Sequence, residues 1–218
     1  MAKHFQRELG KIKKSILSLG ALVEDRVRLA IKSIEKRDAA IAEQVVNMDY
    51  EIDEMEVEIE EECLKVLALH QPVAVDLRFL VSVIKINNDL ERIADETVNI
   101  AYRVKTISKN KDCRFIFDYA LMAEKASAML KMSLDAMVRL DSDMAFKVCQ
   151  MDDDVDAFVR SAYEQLKLSI CAMPENVGIL LNMFLISRHI ERIADHATNI
   201  AEEVIYVTDG EIVRHGKF

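Results

Sequence analysis

NDLERIADETVNIA at residues 88–101 and RHIERIADHATNIA at residues 188–201 decide how this chain is read. Laid over one another at an offset of 100, they agree at 8 of 14 positions: Glu, Arg, Ile, Ala, Asp, Asn, Ile and Ala. Further out, Asp38 and Met48-Asp49 line up with Asp141 and Met151-Asp152 at an offset of 103, and Pro72 lines up with Pro174 at 102. Because the order holds along the chain, the sequence is a duplication and not one motif used twice. The expected units are residues 1–110 and 111–218.

Composition says what each unit is made of. Only 5 Gly and 2 Pro occur in 218 residues, and no Gly falls between Gly20 and Gly178. Sheets and tight turns need such residues, and helices avoid them. The expected fold is all-α, a tandem repeat of two up-down-up three-helix bundles. In the first half the helices are expected near residues 7–36, 39–69 and 72–105, with Asp38 capping the second and Pro72 opening the third. The second half repeats the plan near 115–140, 142–172 and 175–207, after a polar connection at 108–114. Long helices joined by short turns pack as antiparallel neighbours.

Charge and cysteine usage exclude several functions. A net charge of −9 argues against binding nucleic acid, whose phosphates require a surplus of Lys and Arg. Residues 51–100 hold thirteen acids and four bases, and from Asp49 to Glu62 there are nine acids and no base. The four cysteines, Cys63, Cys113, Cys149 and Cys171, contain no CxxC spacing and read as reduced thiols. No apolar signal segment follows Met1, and the longest uncharged run of note, 176–187, is shorter than the roughly 20 residues a spanning helix needs. A cytoplasmic protein is expected. No nucleophile–base pair and no glycine-rich phosphate loop is visible, so an enzyme is not expected.

The chemistry lies in paired carboxylates. At 100° per residue Glu91 and Asp95 sit about 40° apart, one turn above each other on one helix face, and Asn88 and Asn99 extend the stripe. Asp49 with Asp53, Asp152 with Asp156, and Glu191 with Asp195 repeat the spacing at equivalent places. Like charges at i, i+4 repel by a few tenths of a kcal/mol, and a cation between them reverses the sign. If the second and third helices of a half face each other, four carboxylates converge on one oxygen-rich site fit for Mg²⁺, Mn²⁺, iron or carboxylate-bound Zn²⁺. The bland alternative is a solvated acidic face, with Arg92 and Arg192 neutralising the acids. His189 and His196 occur only in the second copy, where Asp89 and Glu96 stand in the first, and read as surface residues, the alternative being an effect on metal preference. His70 reads as a helix-end residue.

Three blocks together resemble the PhoU family: Gln71-Pro72-Val73-Ala74-Val75-Asp76-Leu77-Arg78, then Leu90-Glu91-Arg92-Ile93-Ala94-Asp95, then residues 190–201. The resemblance runs from about Phe5 to Gly210; Ala94 and Ala194 stand where many relatives have Gly. It implies two similar three-helix bundles and multinuclear metal clusters, iron and zinc among them, held by Asp49, Asp53, Glu91, Asp95, Asp152, Asp156, Glu191 and Asp195. It further implies a negative regulator of phosphate uptake and the phosphate-starvation response. Such a regulator links a phosphate-specific ABC transporter to a sensor histidine kinase at the inner face of the membrane, often as a homodimer. Asp76 and Arg78 are partner-contact candidates confined to the first bundle, because the second copy of that block keeps only the proline; a helix-start role for Asp76 is the alternative. A carboxylate-bridged metal-storage or redox bundle is the competing class.

Overall fold

The computed structural model describes residues 2–110 and 115–213, and among them there is no strand. Seven α-helices follow in order: α1 (Ala2–Lys36), α2 (Ala39–Asn47), α3 (Tyr50–His70), α4 (Ala74–Ile107), α5 (Ala120–Arg139), α6 (Ser142–Ala172) and α7 (Val177–Asp209). A 3-10 turn, Pro174–Asn176, precedes α7. The architecture is the expected all-α pair of bundles, α1 to α4 in one and α5 to α7 in the other. The polar link and Cys113 lie partly or wholly outside the described residues. Cys63 and Cys149 are free and buried, and burial pushes each thiol up to about 12, which leaves both inert.

The duplication is visible in the way helices end. Arg37 and Leu140 take the left-handed conformation at φ 50 and φ 52. The next amide in each case reaches back five residues, Asp38 to the Ser33 carbonyl at 3.1 Å and Asp141 to the Ala136 carbonyl at 3.0 Å. This is the Schellman closure, here without glycine. The same aspartates then cap the following helix: Asp38 accepts from the amides of Ala40 and Ile41, and Asp141 from that of Met144.

Three expected boundaries move. The second helix of the first half is interrupted at Met48-Asp49, where the Met48 amide bonds Val45 and the Ile52 amide bonds Asp49, each three residues back instead of four. Its counterpart α6 runs unbroken. Pro72 does not open α4: Gln71 turns left-handed at φ 45, residues 71–73 are non-helical and α4 starts at Ala74. In the second half Pro174 does begin a helical turn, but a 3-10 one. Lastly, residues 115–119 stay out of α5 because their aromatic side chains dock instead. Phe115 and Phe117 pack edge-on against Tyr119, whose hydroxyl donates to the Met183 carbonyl at 2.7 Å.

Gly20 does not interrupt α1. A Cβ there would stand 2.9 Å from Leu134 Cδ2, so the missing side chain admits α5 close to α1. The larger join between the bundles is α4 against α7, running antiparallel, with Ile86, Leu90, Ile93 and Ile100 buried on one helix and Ile186, Ile190, Ile193 and Ile200 on the other. Since the pair is antiparallel, the corners leading into α4 and α7 lie at opposite ends of the molecule. Each corner exposes apolar side chains, Leu69, Val73 and Val75 at one and Leu168, Val177 and Leu181 at the other.

Asp38→Ala is expected to cost about 1 kcal/mol of stability, the usual worth of an N-cap, read as a lowered urea midpoint with unchanged slope.

Candidate metal centre and the seam between bundles

The eight predicted acids fall into two groups of four, one in each bundle. In the first, Asp49 sits at the break between α2 and α3, Asp53 in the first turn of α3, and Glu91 and Asp95 midway along α4. In the second, Asp152 and Asp156 lie on α6 and Glu191 and Asp195 on α7. Across each helix pair they lie near enough to act on one another's ionisation. Partial burial, then the charges of Asp53 and Asp95, push the Asp49 carboxyl up to about 6, with Arg26 pulling the other way. Partial burial of its carboxyl, then Asp152 and Asp156, push Asp195 up to about 6 although the residue as a whole is exposed.

Glu91, Asp95, Asp152 and Glu191 are likewise raised, each first by burial. Carboxylates from the neighbouring helix add to the rise of Glu91, Asp95 and Glu191, whereas the charges added to Asp152 come from Asp156 and Asp153 on its own helix. A carboxylate held above its ordinary value is one whose charge the fold opposes. Both groups are therefore built to gain from a positive charge between the helices. The donors are all oxygen, which suits hard cations and iron better than soft metals. Their oxygens are not drawn together into a cage: among the described residues the one set of three ligand atoms mutually within 4.8 Å is His4, Glu8 and His70.

Bases neutralise the acids only in part. Arg92 Nε stands 3.6 Å from Glu91, Arg160 Nη1 3.4 Å from Asp156, and Arg188 Nη1 donates to Glu191 Oε1 at 2.6 Å. Arg192, expected beside the acids of its own helix, instead reaches across to Glu96 at 3.0 Å. Thr198 donates to Asp152 at 3.3 Å. Asn199 donates to Asp89 at 3.1 Å, while Asn99, expected to extend the stripe, hydrogen-bonds Glu96. Of the partner-contact candidates, Asp76 is half-buried in the first turn of α4, and the Arg78 guanidinium lies within 4 Å of where a Gly210 Cβ would stand, at the left-handed residue (φ 78) that closes α7.

His189 and His196 are not surface residues. They line the α4–α7 seam, His189 Nδ1 on Glu96 at 2.6 Å and His196 Nδ1 on Asp89 at 2.8 Å, with imidazoles 12% and 17% exposed. These contacts are exchanged by the offset of 100 that relates the two copies: position 89 meets 196, and 96 meets 189. A second couple obeys the same exchange further out, Ser82 donating to Glu203 at 2.9 Å and Arg103 to Asn182 at 3.3 Å. The seam is a local pseudo-twofold. Two identical copies meeting there would set acid against acid, and the acid-to-histidine differences between copies remove that conflict. The signal was present in the sequence as the two changes, Asp89 to His189 and Glu96 to His196, inside the best-matched block.

The chain matches the PhoU domain family twice, over residues 16–104 and 119–204. It is 36% identical to the phosphate-specific transport system accessory protein PhoU homolog of Pseudomonas aeruginosa over 99% of its own length and 89% of that protein's. With the homolog of the same name from Clostridium acetobutylicum it shares 33% identity, over 97% of each chain. Among solved structures, the crystal structure of PhoU from Pseudomonas aeruginosa superposes with a TM-score of 0.91 at 36% identity, covering 95% of this chain and all of that one. The phosphate transport system regulatory protein PhoU from Streptococcus pneumoniae gives 0.85 at 30%, covering 96% and 99%.

Two measurements follow. Asp195 has a folded pKa near 6 against an ordinary 3.8, so its charge opposes folding above pH 6, less so on descending toward 3.8, and not below. Asp195→Asn is thus expected to be more stable than wild type at pH 7 to 8 in chelator-treated protein, the advantage vanishing near pH 4 in denaturant titrations. Glu96 behaves oppositely: burial pushes its carboxyl up, but the His189 hydrogen bond and the His189 and Arg192 charges outweigh that and hold it below 4.5. Its contribution is present above the ordinary carboxylate range and lost as pH falls through the depressed value. Glu96→Ala, which strands His189 and Arg192, is expected to cost about 3 kcal/mol at pH 7, measured the same way.

Proposed function

The chain belongs to the PhoU family, and from that premise we propose that it is a negative regulator of phosphate uptake and of the phosphate-starvation response. It acts as a metal-binding adaptor between a phosphate-specific ABC transporter and a sensor histidine kinase, working as a homodimer at the inner face of the membrane. The relatives' names, accessory and regulatory proteins of phosphate transport, support the first part. Among the described residues no helix is long and apolar enough to cross a membrane. Contact with a transporter is therefore made through protein surface, for which the apolar corners before α4 and α7 are suited.

What supports the metal reading is the mutual influence of Asp49, Asp53, Glu91 and Asp95 in one bundle and of Asp152, Asp156, Glu191 and Asp195 in the other, with six of the eight carboxyls raised. A multinuclear site of iron or zinc, with Mg²⁺ or Mn²⁺ as further occupants, would supply the positive charge that these acids lack. Arg92, Arg160 and Arg188 orient single members of the set and leave the remaining oxygens for the cation. Holding α3 to α4 and α6 to α7, the acids make bundle shape respond to metal without any reaction. Switching of partners is then a change of surface.

Protein purified without a tag is expected to carry metal by elemental analysis, and the Asp95→Ala, Asp195→Ala double variant to lose most of it; equal metal in both defeats the ligand assignment. A strain lacking the gene is expected to express phosphate-response genes in phosphate-rich medium, and unchanged expression there defeats the regulatory reading. Oxygen consumption with turnover by iron-loaded protein would favour a redox role instead.

A further inference from the structure

Far from the carboxylate groups, the first turn of α1 meets the last residue of α3. His4 and Glu8, one helical turn apart, share a face, and His70 closes on them. His4 Nδ1 lies 3.2 Å from Glu8 Oε1, and His70 Nε2 lies 2.6 Å from Glu8 Oε2. All three ligand atoms fall within 4.8 Å of one another. We propose that His4, Glu8 and His70 form a separate site for a borderline divalent cation of the zinc type.

The argument is geometric first. Two ligands on one tetrahedral zinc, with bonds of about 2.05 Å, stand about 3.3 Å apart, so the present spacings need only small adjustments. The Phe5 ring, 5.1 Å from the His70 ring, holds that imidazole in place. His4 is 72% exposed and Glu8 13%, so the set has a dry side and an open one, and a fourth position remains for water or an incoming ligand. Two imidazole nitrogens and one carboxylate suit zinc, nickel or cobalt, and not magnesium. Lys65, the nearby base, is engaged by Glu62 at 3.0 Å.

The helix end does not need these histidines for its own sake. By the alignment of Pro72 with Pro174, the counterpart of His70 is Ala172, the last residue of α6, and that helix closes without an imidazole. The site is also distinct from the paired acids: His70 stands about 25 Å along α3 from Asp53, at 1.5 Å per residue. A cation there takes each imidazole in its unprotonated form, so binding weakens as pH falls. When filled, the site staples α1 to the end of α3, beside the exposed Leu69–Val73 corner.

The test is a zinc titration of tag-free full-length protein in excess Mg²⁺, against a chromophoric chelator, with imidazole proton signals followed by NMR. Wild type is expected to bind one more equivalent of Zn²⁺ than His70→Gln, His4→Gln or Glu8→Gln, with signals of His4 and His70 shifting while those of His189 and His196 stay. Asp95→Asn and Asp195→Asn are expected to retain that equivalent. Equal zinc binding by wild type and the folded His4→Gln variant, or shifts confined to His189 and His196, overturns the site. His4→Gln alters an exposed side chain and serves if His70→Gln does not fold.

Discussion

The meeting of α4 and α7 is the constraint on which the rest depends. Any chain that duplicates itself and then packs its copies across a twofold repeats each seam contact in exchanged form, so positions 89 and 96 of one copy meet the equivalents of 96 and 89 in the other. For charged positions that is a conflict, because acid would face acid in a buried seam where unpaired charge is costly. Here the conflict is resolved by divergence: the copy on α4 keeps Asp89 and Glu96, and the copy on α7 carries His196 and His189 opposite them. Arg192 adds a second positive partner to Glu96, the more deeply buried of the two acids. The flanking isoleucines supply apolar burial, and the four polar groups fix which register of the two helices is correct.

Once the seam is fixed, the tension in the acid groups follows. Two of the four pairs lie on the same two helices that form the seam, which turn one face to the other bundle and another to α3 or α6. A helix so placed cannot rotate its carboxylates into water without breaking the histidine contacts behind them. Repulsion is thus retained in the native state instead of being relaxed, and it appears as the raised carboxyls on both sides. The first bundle holds its set with a break in the backbone at Asp49, the second with a continuous α6 and a hydroxyl from Thr198. The two sets are alike in composition and differ in the backbone that carries them.

Much of this was readable in the residues. Helical composition, the duplication, the capping aspartates and the facing acids all follow from local rules of spacing and propensity. What was not readable depends on tertiary contact. Phe115, Phe117 and Tyr119 alternate with a period of two, a signal against helix that the surrounding helical pattern obscured, and their docking on Met183 decides the matter. The break at Met48-Asp49 has no proline or glycine to announce it. His189 and His196 looked like surface residues because the partner that buries them is about a hundred positions away. Only the asymmetry between otherwise matching blocks pointed to it.

The antiparallel run of α4 and α7 also sets how the molecule can be used. Its two greasy corners are separated by nearly the length of α4, roughly 50 Å at 1.5 Å per residue. Ligand proteins gripping the two tips would stand clear of each other and leave the middle untouched. Such a body has the outline of a spacer bar with an apolar grip at either extremity.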